Sequence, residues 1–419
     1  MKENFFNWSK EEILRLNYNF HPPFKLLEKF TFRKNKKYLI QSIFLFFSTY
    51  IKALGRAKIN QKYKTREILF WSGSQNNDKV LYPIYEQLKH KSQYLSKNHD
   101  LRIPKHQAYL LSLPYFFKAL QIWNSSEGYH RKIFTAYFDY VWLSFGYYKM
   151  VSKILKKNKP ELVVISNDHI LFGRTVIECA KKLKIKSLYV QHAGTAEHFP
   201  PLQMDYAFLD GEISYNKYKS HGYKNSAKVY QLGSPRFDEI VRIRFQRTTT
   251  GKIGIAVNKV DDFKKVSSYL KMAAQNNQLI LRVHPAIKGN EFDRYNSLCK
   301  EYGVTLSVPN KDSIYDFLKN IDLLLACESY IHFEAVLSGI PSYYLEFYNE
   351  VMDSYGFLKE NFIKKVSLSI DPSNHNMLLN ESHETYLQKN IANLDILRNN
   401  EDWSTVKDYT RIIQSEILD

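Results

Sequence analysis

Residues 278–287 read Gln-Leu-Ile-Leu-Arg-Val-His-Pro-Ala-Ile, and the reading of this stretch decides the fold. Leu279, Ile280 and Leu281 form a short apolar run bounded by polar residues, the pattern of a strand buried on both faces. Pro285 has no N–H to give to a central ladder, so the strand stops at His284. Strands buried on both faces belong to parallel α/β sheets, which bind ligands outside their carboxyl ends. Arg282 and His284 stand at such an end, placed to meet an anion. A histidine beside a turn proline also satisfies the pattern, so the wider chain must decide.

Similar strand ends recur on both sides. Toward the N-terminus, Ile68–Trp71 runs into the loop Ser72-Gly73-Ser74-Gln75-Asn76-Asn77 and then a helical pattern through Leu81, Ile84 and Leu88. Leu162–Ser166 ends in Asn167-Asp168-His169, and Ser187–Val190 in Gln191-His192-Ala193-Gly194. Tyr206–Leu209 ends in Asp210-Gly211, and Val229–Leu232 in Gly233-Ser234-Pro235-Arg236-Phe237-Asp238. Residues 246–252, with three threonines and a glycine, have linker composition. Beyond them a second series begins: strands at Ile253–Val257, Leu279, Val304–Val308, Leu323–Ala326 and Tyr343–Glu346, with helices at Phe263–Ala274, Ser313–Leu318 and Ile331–Leu337. Gly339 and Pro341 stop the last helix.

This order predicts an α/β protein of two Rossmann-like domains facing across a cleft, with extra N-terminal helices. The expected division is 1–245 for an N-terminal domain carrying a helical extension, and 251–419 for a C-terminal domain carrying a helical tail. Residues 106–157 read as two long helices broken near 124–128, their aromatic stripes directed to a core.

The chain has 419 residues, long enough for two cores, and a formal net charge of +18. That field favours phosphorylated substrates, anionic lipid or polyanions. The lysines are spread without a basic block, and no zinc-finger, helix-turn-helix or RNA-binding signature is evident, so nucleic acid is not an expected partner. Cys179, Cys299 and Cys327 lie far apart in apolar contexts and read as core residues of a reducing compartment. No signal peptide is read at the start, so a cytoplasmic location is expected, peripheral to the inner face of the membrane if one segment is interfacial. That segment is Leu39–Ile51, LIQSIFLFFSTYI, too short to span a bilayer and flanked by Lys36, Lys37, Lys52 and Arg56. A core helix and a helix lying on an anionic membrane surface both fit it.

The motifs carry a resemblance. The run Phe333-Glu334-Ala335 followed by Gly339-Ile340-Pro341 resembles the E-A…G-x-P pattern of glycosyltransferases of the GT-B fold, whose glutamate holds the nucleotide ribose. Gln191-His192 with His284-Pro285 resembles the paired motifs of bacterial capsule Kdo transferases. The histidine-proline pair, followed by Ser329-Tyr330, is similar to bacterial sialyltransferases, and Leu209-Asp210-Gly211 matches their acidic motif in part. Teichoic-acid glycerophosphotransferases also pair an early histidine-glycine with a later histidine-proline, whereas here Ala193 separates His192 from Gly194. The resemblance covers about residues 160–345. It implies a nucleotide-sugar donor, cytidine-based, with no further cofactor. It also implies a glycan or lipid-linked acceptor, in capsule or lipopolysaccharide biosynthesis. No Asp-x-Asp signature stands in a plausible loop, so no metal site is expected.

Chemistry narrows the candidates. Breaking the bond to a nucleotide phosphate builds negative charge on oxygen, which cations and N–H donors must stabilise. Arg282, His284, the helix start at Ser329 and Glu334 are the expected donor-binding residues. A base or nucleophile is required on the other side. His192, Asp168, Asp210 and His284 are the catalytic candidates, with His169 and Asp238 at neighbouring strand ends. The leading expectation is transfer of an acidic sugar, Kdo-like or sialic-acid-like, from a CMP-activated donor. The alternatives are a CDP-glycerol-type polyol phosphate transferase, a UDP-sugar transferase of the same fold, and a sugar-nucleotide epimerase.

Overall fold

The computed structural model describes residue 13 and residues 38–56, 64–96, 101–195, 199–220, 227–348, 352–372 and 404–418. In chain order the first half runs α1 (Leu39–Leu54), β1 (Ile68–Trp71), α2 (Gln75–Gln87), β2 (Ser92–Leu95), α3 (Lys105–Ser112), α4 (Phe116–Asn124), α5 (Gly128–Ala136) and α6 (Phe138–Asn158). It continues with β3 (Leu162–Ile165), α7 (Leu171–Lys182), β4 (Lys186–Val190), β5 (Tyr206–Leu209), α8 (Glu212–Ser220), β6 (Lys228–Gln231) and α9 (Asp238–Gln246). The second half runs β7 (Lys252–Val257), α10 (Phe263–Ala273), β8 (Gln278–Val283), α11 (Asn290–Tyr302), β9 (Thr305–Ser307), α12 (Ile314–Lys319) and β10 (Leu323–Ala326). Then come α13 (Ile331–Leu337), β11 (Ser342–Leu345), β12 (Lys364–Val366) and α14 (Thr405–Ile412).

The strands form two six-stranded sheets, ordered β2-β1-β3-β4-β5-β6 and β12-β11-β10-β7-β8-β9. Neighbours pair in parallel throughout, as with Leu281 opposite Ile255 and Leu324 opposite Ser342. Two parallel α/β domains preceded by helices match the expected GT-B architecture. The strand order reverses between β1 and β3 in the first sheet and between β7 and β10 in the second. At such a switch point the following loops diverge to opposite faces and leave a crevice.

Alternation along the strands divides the first domain into two apolar layers. Leu69, Trp71, Val163, Ile165 and Tyr189 face the helices α1 and α3–α7, while Ile68, Phe70, Leu162, Val164 and Val190 face α2. The second face is completed by Tyr409, Ile412, Ile413 and Ile417 of the C-terminal segment. The expected tail of the second domain therefore packs on the first sheet. Conversely Ile240, Val241 and Ile243 of α9, which precede the expected division, pack in the second core. The chain crosses between cores before the threonine linker and returns at its end.

Five elements were not read from the sequence: β2, α8, α9, α11 and β12. The two long helices expected over 106–157 are four α-helices with a 3-10 turn between the first two. Pro114 stands at the start of that turn, Leu113–Tyr115, where its missing N–H interrupts the ladder. Gly128, at φ +52°, opens α5 at the expected break. The three cysteines are buried and form no disulfide.

Candidate functional site

A cavity of about 670 Å³ opens at the switch point of the second sheet. It is lined by the carboxyl ends of β7 and β8, the residues after β10, the start of α13 and, from the first domain, Lys79 of α2. Arg282, His284, Ser329 and Glu334, the expected donor-binding residues, all line it. Their settings differ.

His284 ends β8 with its backbone N–H on Val257 O at 2.9 Å. Its Nδ1 accepts from the Ala286 N–H at 3.1 Å, a bond made possible by the turn that Pro285 imposes. An accepting Nδ1 places the proton of the neutral ring on Nε2, which becomes a fixed donor. Partial burial lowers the pKa of His284, favouring this neutral form. Arg282 is more committed. Its Nη1 bonds Ser307 Oγ at 2.8 Å, both terminal nitrogens reach Asp312 O at 3.3 Å, and the guanidinium lies over Phe317. It braces β8 against the loop after β9, and it offers an anion its charge more than a free fork.

Glu334 sits on α13, its carboxyl raised by burial and drawn back by Arg236, Arg282 and Lys79. Ser329 stands two residues before α13, whose first helical residue is Ile331, with Tyr330 at the N-cap. The helix expected over Ile331–Leu337 has those bounds, so Ser329 precedes it and does not open it. The Ser329 hydroxyl accepts weakly from the Ile331 N–H at 3.4 Å.

The N-domain candidates form a second group. Asp168 is fully enclosed between His169 Nδ1 at 3.1 Å and the Tyr218 hydroxyl, which donates to it at 2.8 Å. Burial alone would raise its pKa, but the His169 and Tyr218 bonds outweigh that and hold it low. The carboxylate is therefore an orienter of His169. His192 ends β4 with Nδ1 lacking a hydrogen-bond partner among the described residues. Burial, with the nearby charges of His169 and Arg236, pulls its pKa down to about 4. At neutral pH it is a neutral imidazole whose Nδ1 is buried.

Gln191 holds this loop. Its amide nitrogen reaches Ala193 O and Ser214 Oγ, both at 2.9 Å, while its oxygen accepts from the Asp210 N–H at 2.9 Å. One side chain thereby ties the ends of β4 and β5 to α8. Asp210 in turn accepts from the hydroxyl of Tyr330, across the domains, at 2.9 Å, with Arg236 Nη2 at 3.7 Å. Arg236 also donates to His192 O at 2.9 Å and lies over the Tyr330 ring. Asp238 is occupied elsewhere. It accepts from the Thr405 hydroxyl at 2.6 Å and the Thr405 N–H at 3.1 Å, fastening α14 to the first domain.

The two groups meet through Gly194. A Cβ there would lie 2.1 Å from Tyr330 Cδ2 and 2.9 Å from Tyr355 Cε1. The loop that carries His192 therefore lies directly beneath Tyr330 and Tyr355, which line the donor-side cavity.

Sequence reasoning missed Lys79, Tyr355, Asn258 and Glu328. Asn258 donates to Glu328 O at 2.8 Å, joining the loops after β7 and β10. Burial pushes the Glu328 carboxyl up to about 7, although the Ser354 hydroxyl and the 354–355 N–H groups bond to it. None stands in a short motif. Asn258, following the strand run 253–257, and Glu328, following the run 323–326, were the two whose position could have singled them out.

No family model matches the chain, and no curated protein does. Among solved structures, it is similar to a Listeria monocytogenes protein described as a UDP-N-acetylglucosamine 2-epimerase, with a TM-score of 0.53 and 11% identity over 84% of this chain and 96% of that one. A further UDP-N-acetylglucosamine 2-epimerase has a TM-score of 0.50 and 12% identity, covering 85% of this chain and 96% of that one. The wall teichoic acid polymerase TagF has a TM-score of 0.48 and 13% identity, covering 90% and 97%. At these identities the likeness is one of fold, and the fold is the two-domain GT-B type.

Proposed function

We propose that the chain is a nucleotide-dependent transferase of bacterial surface-polysaccharide synthesis. The donor's nucleotide and phosphates occupy the cavity at the β7–β10 switch point, and the acceptor is carried by the first domain. What carries this reading is the composition of that cavity. It gathers His284, Arg282 and Lys259 from strand ends of one domain with Lys79 from the other, around a space of about 670 Å³. Pockets of that size bury small-molecule ligands, and Lys79, Lys259 and Arg282, with the neutral His284 as a hydrogen-bond donor, suit a phosphorylated one beside Glu328 and Glu334.

In this reading the acceptor O–H gives its proton to His192, and the acceptor oxygen attacks the anomeric carbon. The bond from that carbon to the nucleotide phosphate breaks, and the leaving phosphate carries the electron pair away. His284 Nε2–H and the lysine ammonium groups stabilise the charge that develops. Asp168 holds His169 in one orientation beside His192. Arg236 and Tyr330 keep the two domains in register. The paired motifs at Gln191-His192 and His284-Pro285 support a cytidine donor, CMP-activated and carrying a Kdo-like or sialic-acid-like sugar. A CDP-glycerol-type donor is the alternative, in which the acceptor oxygen attacks phosphorus instead. The acceptor is a glycan or lipid-linked glycan.

The test is thermal shift with CMP, CDP and UDP, followed by product analysis. Stabilisation by CMP or CDP with transfer to an added acceptor is expected. Selective stabilisation by UDP would overturn the cytidine assignment. Because two of the structural neighbours are described as epimerases, UDP-N-acetylglucosamine incubated without acceptor is the control. Formation of its epimer would replace the transferase reading.

A further inference from the structure

Helix α1 faces two ways. Ser42 and Phe46 are buried, the serine hydroxyl donating to Thr135 O at 2.7 Å and the Phe46 ring stacking on Trp142. On the other side Ile40, Phe44, Phe47, Ile51 and Leu54 are exposed. Their spacing of four, three, four and three residues puts them on one helical stripe. Phe44 is 69% exposed and Ile51 68%. The neighbouring helix α3, which meets α1 through Tyr109 against Phe46 and Tyr50, continues into further exposed apolar residues. These are Leu110, Leu113 and Phe117, the last 80% exposed. Single exposed apolar residues need no account, whereas a stripe of five beside three more marks an interaction surface.

The charges choose the partner. Residues 38–56 and 101–126 contain no aspartate or glutamate, yet they contain Lys52, Arg56, Arg102, Lys105 and Lys118. Lys52 and Arg56 are exposed at the end of α1, and Arg102 donates to Arg56 O at 3.1 Å, so cations cluster at one end of the stripe. A second copy would set this cationic rim against itself in a two-fold interface. An anionic bilayer complements it, with the apolar stripe entering the acyl boundary and the cations meeting the headgroups. No helix among the described residues is long and apolar enough to cross a membrane, and a stripe of this kind lies in the interface plane.

We infer that the outward face of α1, together with the adjoining 110–117 segment, docks the protein on the surface of an anionic lipid bilayer. The inference is independent of the transferase reading, because vesicle binding needs no turnover.

The experiment is flotation of the full chain with phosphatidylglycerol-containing vesicles and with pure phosphatidylcholine vesicles. Binding to the anionic vesicles is expected, weakened by high salt. The combined variant Phe44→Ser, Ile51→Ser and Phe117→Ser removes only exposed side chains and should keep the wild-type melting transition. Its partition to anionic vesicles should fall roughly tenfold or more. Lys52→Glu with Arg56→Glu should lose the preference for anionic over neutral vesicles. Unchanged flotation of the folded serine variant would overturn the inference. So would light scattering that shows a wild-type dimer converted to monomer by the same substitutions, since the face would then belong to a second copy.

Discussion

Gly194→Ala tests whether the loop carrying His192 is locked under the second domain. The added methyl would stand 2.1 and 2.2 Å from two carbons of the Tyr330 ring, separations no pair of carbons adopts. The ring must move, and its hydroxyl then leaves Asp210, whose bond of 2.9 Å joins the domains. A hydrogen bond to a charged group contributes about 1.5–3 kcal/mol, and the carboxylate is left with Arg236 as a more distant partner at 3.7 Å. Each domain keeps its own core, so the clash can be relieved by a small opening between them. The expected outcome is therefore split. Thermal unfolding should change little, while the radius of gyration from small-angle scattering rises. Affinity for the cavity's nucleotide should fall by about tenfold to a hundredfold, the equivalent of that lost bond. Tyr330→Ala in the Gly194→Ala background removes the obstructing ring, so the two changes should be strongly non-additive. A fall in melting temperature typical of a core defect, with scattering and affinity unchanged, would refute the reasoning.

Further outcomes follow from the same geometry. His284→Ala should lower kcat by about 10²–10³, and His284→Gln should recover part of it, because the role assigned is donation from Nε2; steady-state kinetics with nucleotide affinity measured separately decides this. His192→Ala should abolish turnover with little loss of nucleotide affinity, whereas Asp168→Asn should act more weakly, as expected of a group that orients another. Asp238→Ala should cost about 2–3 kcal/mol in urea unfolding and expose α14 to protease, with nucleotide binding unaltered. His332 is buried with Nε2 on Cys327 O and Nδ1 on Ser342 Oγ, and burial lowers its pKa from 6.5 to about 4. The folded state thus binds its proton less readily than the unfolded chain does, so about 3 kcal/mol of stability present above pH 6.5 is lost as pH falls toward 4. Urea titrations across that window should show a flatter pH dependence for His332→Gln, and equal slopes would remove the assignment.

The strands that decide the fold were legible because they are buried on both faces. Leu162–Ile165 and Leu323–Ala326 are apolar throughout and can be little else within 4 residues. β2 was not legible, since Ser92 and Gln93 read as polar although both are buried. Their burial comes from the neighbouring helix and strand, which local pattern does not carry. The destination of α14 was hidden for a similar reason. Its fastening depends on Asp238 and Gly233, more than 160 residues away, with the Tyr409 hydroxyl donating to Gly233 O. Position at strand ends was readable for Arg282, His284 and Ser329, and the E-A…G-x-P pattern for Glu334, and all four line one cavity. Lys79 was not readable as a member, because only the approach of the domains places it there.

The carboxylates show what strand-end position leaves undecided. Asp168, Asp210 and Asp238 all follow strands of the first sheet, and from sequence Asp168 and Asp210 were the candidates for base or nucleophile, with Asp238 next. The structure gives each a different occupation: Asp168 orients His169, Asp210 holds Tyr330 and Arg236, and Asp238 fastens α14. A carboxylate engaged by strong donors is a poorer base than its exposed counterpart, because proton uptake must compete with those bonds. His192 has the complementary environment. Its Nδ1 is buried and lacks a partner among the described residues, and the same burial keeps the ring neutral. The low pKa limits its strength as a base in the resting state. A proton arriving on His192 would meet Asp168 nearby, whose charge favours the protonated ring. Asp168→Asn should therefore depress the pH-dependent limb of kcat assigned to His192, while leaving nucleotide affinity in place. A pH–rate profile of unchanged shape would separate the two residues and leave Asp168 with a structural role alone.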